Sequence, residues 1–171
     1  VGCCGIDGCT SSMIGSSLAS PNRLCYLVIG DLAFFYDLNS LGNKHIGSNI
    51  RILLINNAVG GEFKLSVHPC YAFSEEADKY MAAAGHYGAK SPTLVKHYAE
   101  DLGFQYFSAT NKEEFLSALE SFTNPQITDK PMLLEVFTNH EDENEALRLM
   151  TSIVNEPQTI QNKVASALHS V

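Results

Sequence analysis

Two apolar runs, Leu24–Ile29 and Ile50–Ile55, each stop abruptly on polar residues, the first at Gly30-Asp31 and the second at Asn56-Asn57 before a glycine-bearing turn. This pairing constrains the chain more than any other feature. The residues between the runs read as a helix, so the segment predicts a βαβ unit with parallel strands and a right-handed crossover. In such a sheet the carboxyl ends of neighbouring strands face one crevice. Asp31 and Asn57, 26 positions apart, are thereby expected within reach of a single ion. A carboxylate, an amide oxygen and a nearby backbone carbonyl form a hard, all-oxygen set of the kind that suits Mg²⁺.

The rest of the chain extends the same pattern. Thr10 or Ser11 is expected to cap a helix of small residues ending near Ser20-Pro21. The nearly all-apolar run Leu24–Ile29 predicts a strand buried on both faces. Asp31 starts a helix through Leu41, with Leu32, Phe35, Leu38 and Leu41 on one face. Beyond Phe63 the pattern is irregular until a helix over Ser74–Ala84, and a further helix opens with Ser91 as cap and Pro92 in its first position and ends at Gly103. A strand over Phe104–Ser108, a helix over Asn111–Phe122, a strand over Pro131–Phe137 and a helix over Glu141–Val154 follow. The expected fold is α/β, a three-layer sandwich with a mainly parallel sheet. Residues 1–154 are read as the domain and 155–171 as a C-terminal helical extension.

Charge and composition narrow the function. A chain of 171 residues suits one well-buried domain, and a net charge of −8 opposes general attraction to nucleic acid or anionic lipid. No apolar run approaches the roughly 20 residues of a membrane span, and no basic segment leads an apolar one at the start. Five cysteines, Cys3, Cys4, Cys9, Cys25 and Cys70, lack zinc-ribbon spacing and fit reduced thiols in the cytoplasm. The chain opens at Val1 inside a glycine-rich loop, the expectation being a piece of a longer polypeptide.

Gly30-Asp31-Leu32, 24 intervening residues and Asn57 together resemble the signature of enzymes that use thiamine diphosphate. Gly5-Ile6-Asp7-Gly8, Asp37-Leu38-Asn39 and Gly60-Gly61-Glu62-Phe63 bring the chain closer to the menaquinone-pathway SEPHCHC synthase branch, in its carboxy-terminal, diphosphate-binding domain. The resemblance implies the thiamine diphosphate-binding fold, with Mg²⁺ held by the Asp31 carboxylate, the Asn57 side-chain oxygen and the Val59 carbonyl. It implies cofactor contacts from Cys4, Gly5, Ile6, Gly30, Asp31, Leu32, Ala33, Asn57 and Val59, with Ile6 as an apolar wedge beneath the cofactor and the Cys4 carbonyl accepting from its amine. Decarboxylation of a 2-oxo acid, followed by protonation or by addition to an acceptor, is the implied chemistry. The activating glutamate is expected outside this chain, on the pyrimidine-binding domain of another subunit in a homodimer or tetramer. Val1 stands where the synthases carry an arginine, and Glu62 where they carry an apolar residue, so the 2-oxo acid and its acceptor stay open.

The residues themselves agree with a metal-dependent diphosphate site. Residues 1–63 hold only three cations, Arg23, Lys44 and Arg51, and no GK[ST] phosphate loop, so a bound diphosphate needs a metal ion and helix amino ends. Taken singly, Gly30-Asp31 is as well explained by a helix cap, Asn56-Asn57 by a turn and Ile6 by ordinary core packing. Order and spacing together favour the site. Of the six histidines, His68 and His86 lie near enough in sequence for substrate contact. The alternative function is a binding or regulatory α/β module that keeps the fold without its chemistry.

Overall fold

The computed structural model describes residues 5–66, 68–81 and 91–153. It forms two compact units, Val1–Thr138 and Asn139–Val171. In the first, helix α1 (Cys9–Ala19) leads to strand β1 (Cys25–Gly30), helix α2 (Asp31–Tyr36) and strand β2 (Ile50–Asn56). Helix α3 (Leu94–Asp101), strand β3 (Gln105–Ala109), helix α4 (Lys112–Phe122) and strand β4 (Met132–Phe137) complete it. The second unit contains a helix at 140–153. Cys3, Cys4, His86, the 82–84 end of the expected Ser74–Ala84 helix and the 155–171 extension lie outside the described residues.

All strand pairs are parallel and the order is β1-β2-β4-β3, as an α/β sheet requires. Strand alternation sends Ile29, Ile50, Ile52, Leu54 and Leu133 to one face, where they pack with Met13 and Ile14 of α1, Phe34 of α2 and Val95 of α3. Met132 and Leu134 point to the other face, against Phe122 and the half-buried Phe115 and Leu119 of α4. Each fully buried branched or aromatic side chain contributes about 1.5–3 kcal/mol, so these two layers hold the strand ends in register. Among the described residues no helix is long and apolar enough to cross a membrane.

Several local expectations are corrected. Strand β1 is not buried on both faces, because it is the edge strand and α4 packs on β3 and β4; Tyr26 and Val28 are 48% and 69% exposed. Helix α1 is capped by Gly8 at φ 83° rather than by Thr10 or Ser11, because the left-handed turn there starts the helix at Cys9. The Asp31–Leu41 helix breaks at Asp37 into α2 and a 3₁₀ turn, Leu38–Gly42. The reason is that Asp37 Oδ2 reaches across to accept the Ser11 N–H of α1 at 2.6 Å. Phe34 rather than Phe35 is the fully buried residue of that segment. The segment expected to form an α-helix from Ser74 is instead a 3₁₀ helix over Pro69–Lys79, capped by His68, whose Nδ1 accepts from Cys70 N at 3.1 Å. Ser91 and Pro92 lie in a turn before α3, whose cap is Thr93.

The end of α3 follows expectation in detail. Gly103 sits at φ 84°, its N–H donates to Glu100 O and the Phe104 N–H donates to Ala99 O. That paired pattern closes the helix and turns Phe104 into the core ahead of β3.

Candidate functional site

The carboxyl ends of β1 and β2 finish side by side. Gly30 pairs with Ile55, so Asp31 leaves β1 at the level where Asn56 and Asn57 leave β2. Asp31 is 2% exposed, and its Oδ1 accepts from the Leu32 N–H at 2.9 Å. A carboxylate removed from water needs donors or a cation around it. Leu32 and Ala33 occupy the half-buried first turn of α2, and Gly30 caps it in an extended conformation.

The turn after β2 is shaped by its asparagines. Asn57 Oδ1 accepts from the Val59 N–H at 3.1 Å, and Asn56 Oδ1 accepts from the Ala58 N–H at 3.2 Å. Ala58 is driven to φ 61°, a left-handed conformation uncommon for a residue with a Cβ. Asp31, Asn57 and Val59 are therefore gathered at one end of the sheet. Gly5 and Ile6 lie in the loop that enters α1; Ile6 is 39% exposed, so ordinary core packing does not account for it. Cys4, the remaining expected cofactor contact, lies outside the described residues.

The three cations of the first 63 residues do not answer for a phosphate in the same way. Arg23 precedes β1 and Arg51 is the second residue of β2, both at the amino ends of the strands, while Lys44 is exposed in the connection between α2 and β2. The oxygen-rich end of the sheet thus fits a hard cation by the chemistry of its donors: one carboxylate, one amide and the backbone. Among the described residues no three His, Cys, Asp or Glu side chains converge, which is the pattern a thiolate or imidazole metal centre would show.

A second buried carboxylate stands beside this end, and the sequence reading missed it. Glu135 of β4 is fully buried; its Oε1 accepts from Asn56 Nδ2 at 2.6 Å and its Oε2 accepts from the Tyr106 hydroxyl at 2.6 Å. Burial pushes the Glu135 carboxyl above the usual carboxylate range, and burial together with the Glu135 contact pushes the Tyr106 phenol up. The available signal was a lone Glu inside the run MLLEVF, a charge placed in an otherwise apolar strand. Glu135 also borders a cavity of about 250 Å³ that Asn56, Asn57, Phe35, Val95 and Phe137 help to line.

Comparison with known proteins agrees with this geometry. The family described as thiamine pyrophosphate enzyme, C-terminal TPP binding domain, matches residues 2–136. The 2-succinyl-5-enolpyruvyl-6-hydroxy-3-cyclohexene-1-carboxylate synthase (SEPHCHC synthase) of Phocaeicola vulgatus is 43% identical over 144 residues, covering 84% of this chain and 24% of that protein. The synthase of the same name from Bacteroides fragilis is 40% identical over 138 residues, covering 81% and 23%. The chain spans about a quarter of the length of these curated relatives. Among solved structures, a Rhodococcus jostii RHA1 thiamine diphosphate-dependent 4-hydroxybenzoylformate decarboxylase superposes with a TM-score of 0.50 at 25% identity, over 75% of this chain and 22% of that one. With a parallel α/β sheet, an oxygen-rich strand end and a family match over most of its length, the chain belongs to the C-terminal TPP binding domains of thiamine pyrophosphate enzymes.

Proposed function

We propose that this chain is the diphosphate- and Mg²⁺-holding domain of a thiamine diphosphate-dependent 2-oxo acid decarboxylase or carboligase resembling SEPHCHC synthase. The observation that carries the proposal is the level placement of buried Asp31 beside Asn57 at the carboxyl ends of two parallel strands. Asp31, the Asn57 side-chain oxygen and the Val59 carbonyl would hold the metal. Gly30, Leu32 and Ala33 would meet the diphosphate, and Cys4, Gly5 and Ile6 the rest of the cofactor. The bound cofactor supplies the electron sink for cleaving CO₂ from a 2-oxo acid. What this chain contributes is a fixed cation site, an apolar surface at Ile6 and shelter from water. The description of the matched family as an enzyme domain favours this reading over a non-catalytic module.

Residues 1–154 are assigned to this domain and 155–171 to a C-terminal extension. The partners are a small 2-oxo acid and the pyrimidine-binding domain of another subunit, in a cytoplasmic homodimer or tetramer. Nucleic acid and membrane are not partners. The activating glutamate is assigned to that second domain, since residues 1–61 contain no Glu and Glu62 is exposed on the far side of the Asn57–Val59 turn in sequence. The test is to assay this 171-residue chain for 2-oxo acid decarboxylation with Mg²⁺ and thiamine diphosphate, alone and mixed with the remainder of its protein. Activity is expected only on mixing. Substantial turnover by the chain alone overturns the shared-site reading.

A further inference from the structure

We propose that Glu135 is a positioning residue that, through Asn56, holds the Asn57–Val59 turn in the shape that presents its oxygens to a cation. This rests on the reading of that turn as the metal loop. Glu135 sits on β4, between β2 and β3, paired with Leu54 on one side and Ser108 on the other. Its side chain bridges the two flanking strands, taking a hydrogen bond from Asn56 at the carboxyl end of β2 and one from the hydroxyl of Tyr106 on β3. Both partners donate, so both carboxylate oxygens are used as acceptors.

The consequence for Asn56 is orientational. Its amide nitrogen must face the carboxylate, which directs its Oδ1 at the Ala58 N–H. Ala58 is the residue held at φ 61°, directly between Asn57 and Val59. One chain of contacts therefore runs from β4 to the strained residue at the centre of the proposed loop. An apolar side chain at 135 would fill the same volume without the cost of burying a carboxylate, but it would release Asn56 to rotate.

Substitutions in the full-length protein separate this role from mere core packing. Titration calorimetry reads the Mg²⁺ concentration that half-saturates thiamine diphosphate binding, and circular dichroism reads the fold. Glu135→Met removes the acceptor and is expected to raise that concentration about tenfold, the lower end of what outer-shell partners of metal ligands are worth. Glu135→Gln, whose Oε1 can still accept from Asn56 Nδ2, is expected to stay near the unaltered protein. Asn56→Ala should match Glu135→Met, and the double variant should be no worse than Asn56→Ala alone, since the second change acts only through the first. An unchanged Mg²⁺ requirement in Glu135→Met, equal losses in the Gln and Met variants, or additive losses in the double variant each overturn the proposal. Should Glu135→Met not fold, Asn56→Ala carries the test, and a wild-type requirement there overturns it. Asp31→Ala is the control: if it leaves Mg²⁺-dependent binding intact, the metal reading fails, whereas its loss beside an unaltered Glu135→Met defeats the positioning role alone.

Discussion

At the amino ends of the strands Arg51 is fully buried, and its guanidinium donates to Ser48 O, Ile50 O, Gln126 O and Thr128 Oγ1 over 2.8–3.3 Å. At the carboxyl ends the buried charges are Asp31 and Glu135, whose oxygens accept. The two ends thus bury opposite charge by different means. Neutral carbonyls and a hydroxyl surround the cation, and burial lowers its affinity for a proton without a carboxylate in the set. That end ties the 124–130 connection to β2 through Nη2 of the guanidinium, while the buried Arg51 Nε has no hydrogen-bond partner among the described residues. The other end concentrates carboxylate and amide oxygens beside a cavity, an arrangement that a cation would complete.

The difference is broken most sharply at Asp31. Asp31→Ala in the full-length protein should abolish Mg²⁺-dependent thiamine diphosphate binding while the fold survives, because it deletes the only carboxylate in the proposed ligand set. Calorimetric titration decides this. Undiminished affinity would place the metal elsewhere and leave the carboxyl end as structural as the amino end.

Arg51→Met tests the opposite side of the comparison. It leaves the buried Ile50 carbonyl and the part-buried Ser48 and Gln126 carbonyls without the guanidinium donor, so a loss of about 1–3 kcal/mol in urea unfolding is expected. Cofactor affinity measured well below the unfolding transition should not move. A changed Mg²⁺ requirement in this variant would mean that the two ends are coupled through β2 and are not separate devices.

How much of this was legible in the sequence differs between the ends for a physical reason. Asp31 and Asn57 could be read because each terminates an apolar run, and in a parallel sheet strand ends meet wherever the strands pair. The Gly103 stop was legible because a left-handed residue after a helix demands glycine. Arg51 and Glu135 were not placed, since both lie inside strands where alternation alone gives no partner; the distant partners of Arg51 are 75 and 77 positions away and those of Glu135 are 29 and 79. The exposure of Tyr26 and Val28 depended on strand order, which only the assembled sheet reveals. Asp37 was read as part of a motif, but its bond to the Ser11 N–H, and with it the break in α2, required knowing that α1 packs beside it.

A smaller effect is expected at Ile6, which sharpens the contrast by asking whether the oxygen-rich end has an apolar counterpart. Its 39% exposure suits a surface that waits for a ligand rather than a core. Ile6→Ala should reduce turnover of the full-length protein by about tenfold at saturating cofactor, with affinity nearly unchanged, because the anchor at Asp31 persists while the reactive conformation is less enforced. Steady-state kinetics and calorimetry together read the split. Equal losses in both would make Ile6 an anchor, and no loss in either would remove it from the site.

The smallest expected effect concerns Ala58, where the carboxyl end holds strain that Arg51's end does not show. A residue with a Cβ at φ 61° costs about 1–2 kcal/mol, whereas glycine adopts that conformation freely but loses more chain entropy on folding, about 0.5–1 kcal/mol relative to alanine. Ala58→Gly should therefore stabilise the fold by about 0–1.5 kcal/mol in urea unfolding. Its effect on the metal should have the opposite sign, a weaker Mg²⁺ response, because Asn56 and Asn57 would then hold a turn with more conformations open to it. Stability rising while the Mg²⁺ requirement also rises would show that the strain at Ala58 belongs to the shape of the proposed metal loop. A gain in both would show instead that the alanine is a local misfit, and the two asparagines alone would then fix the turn.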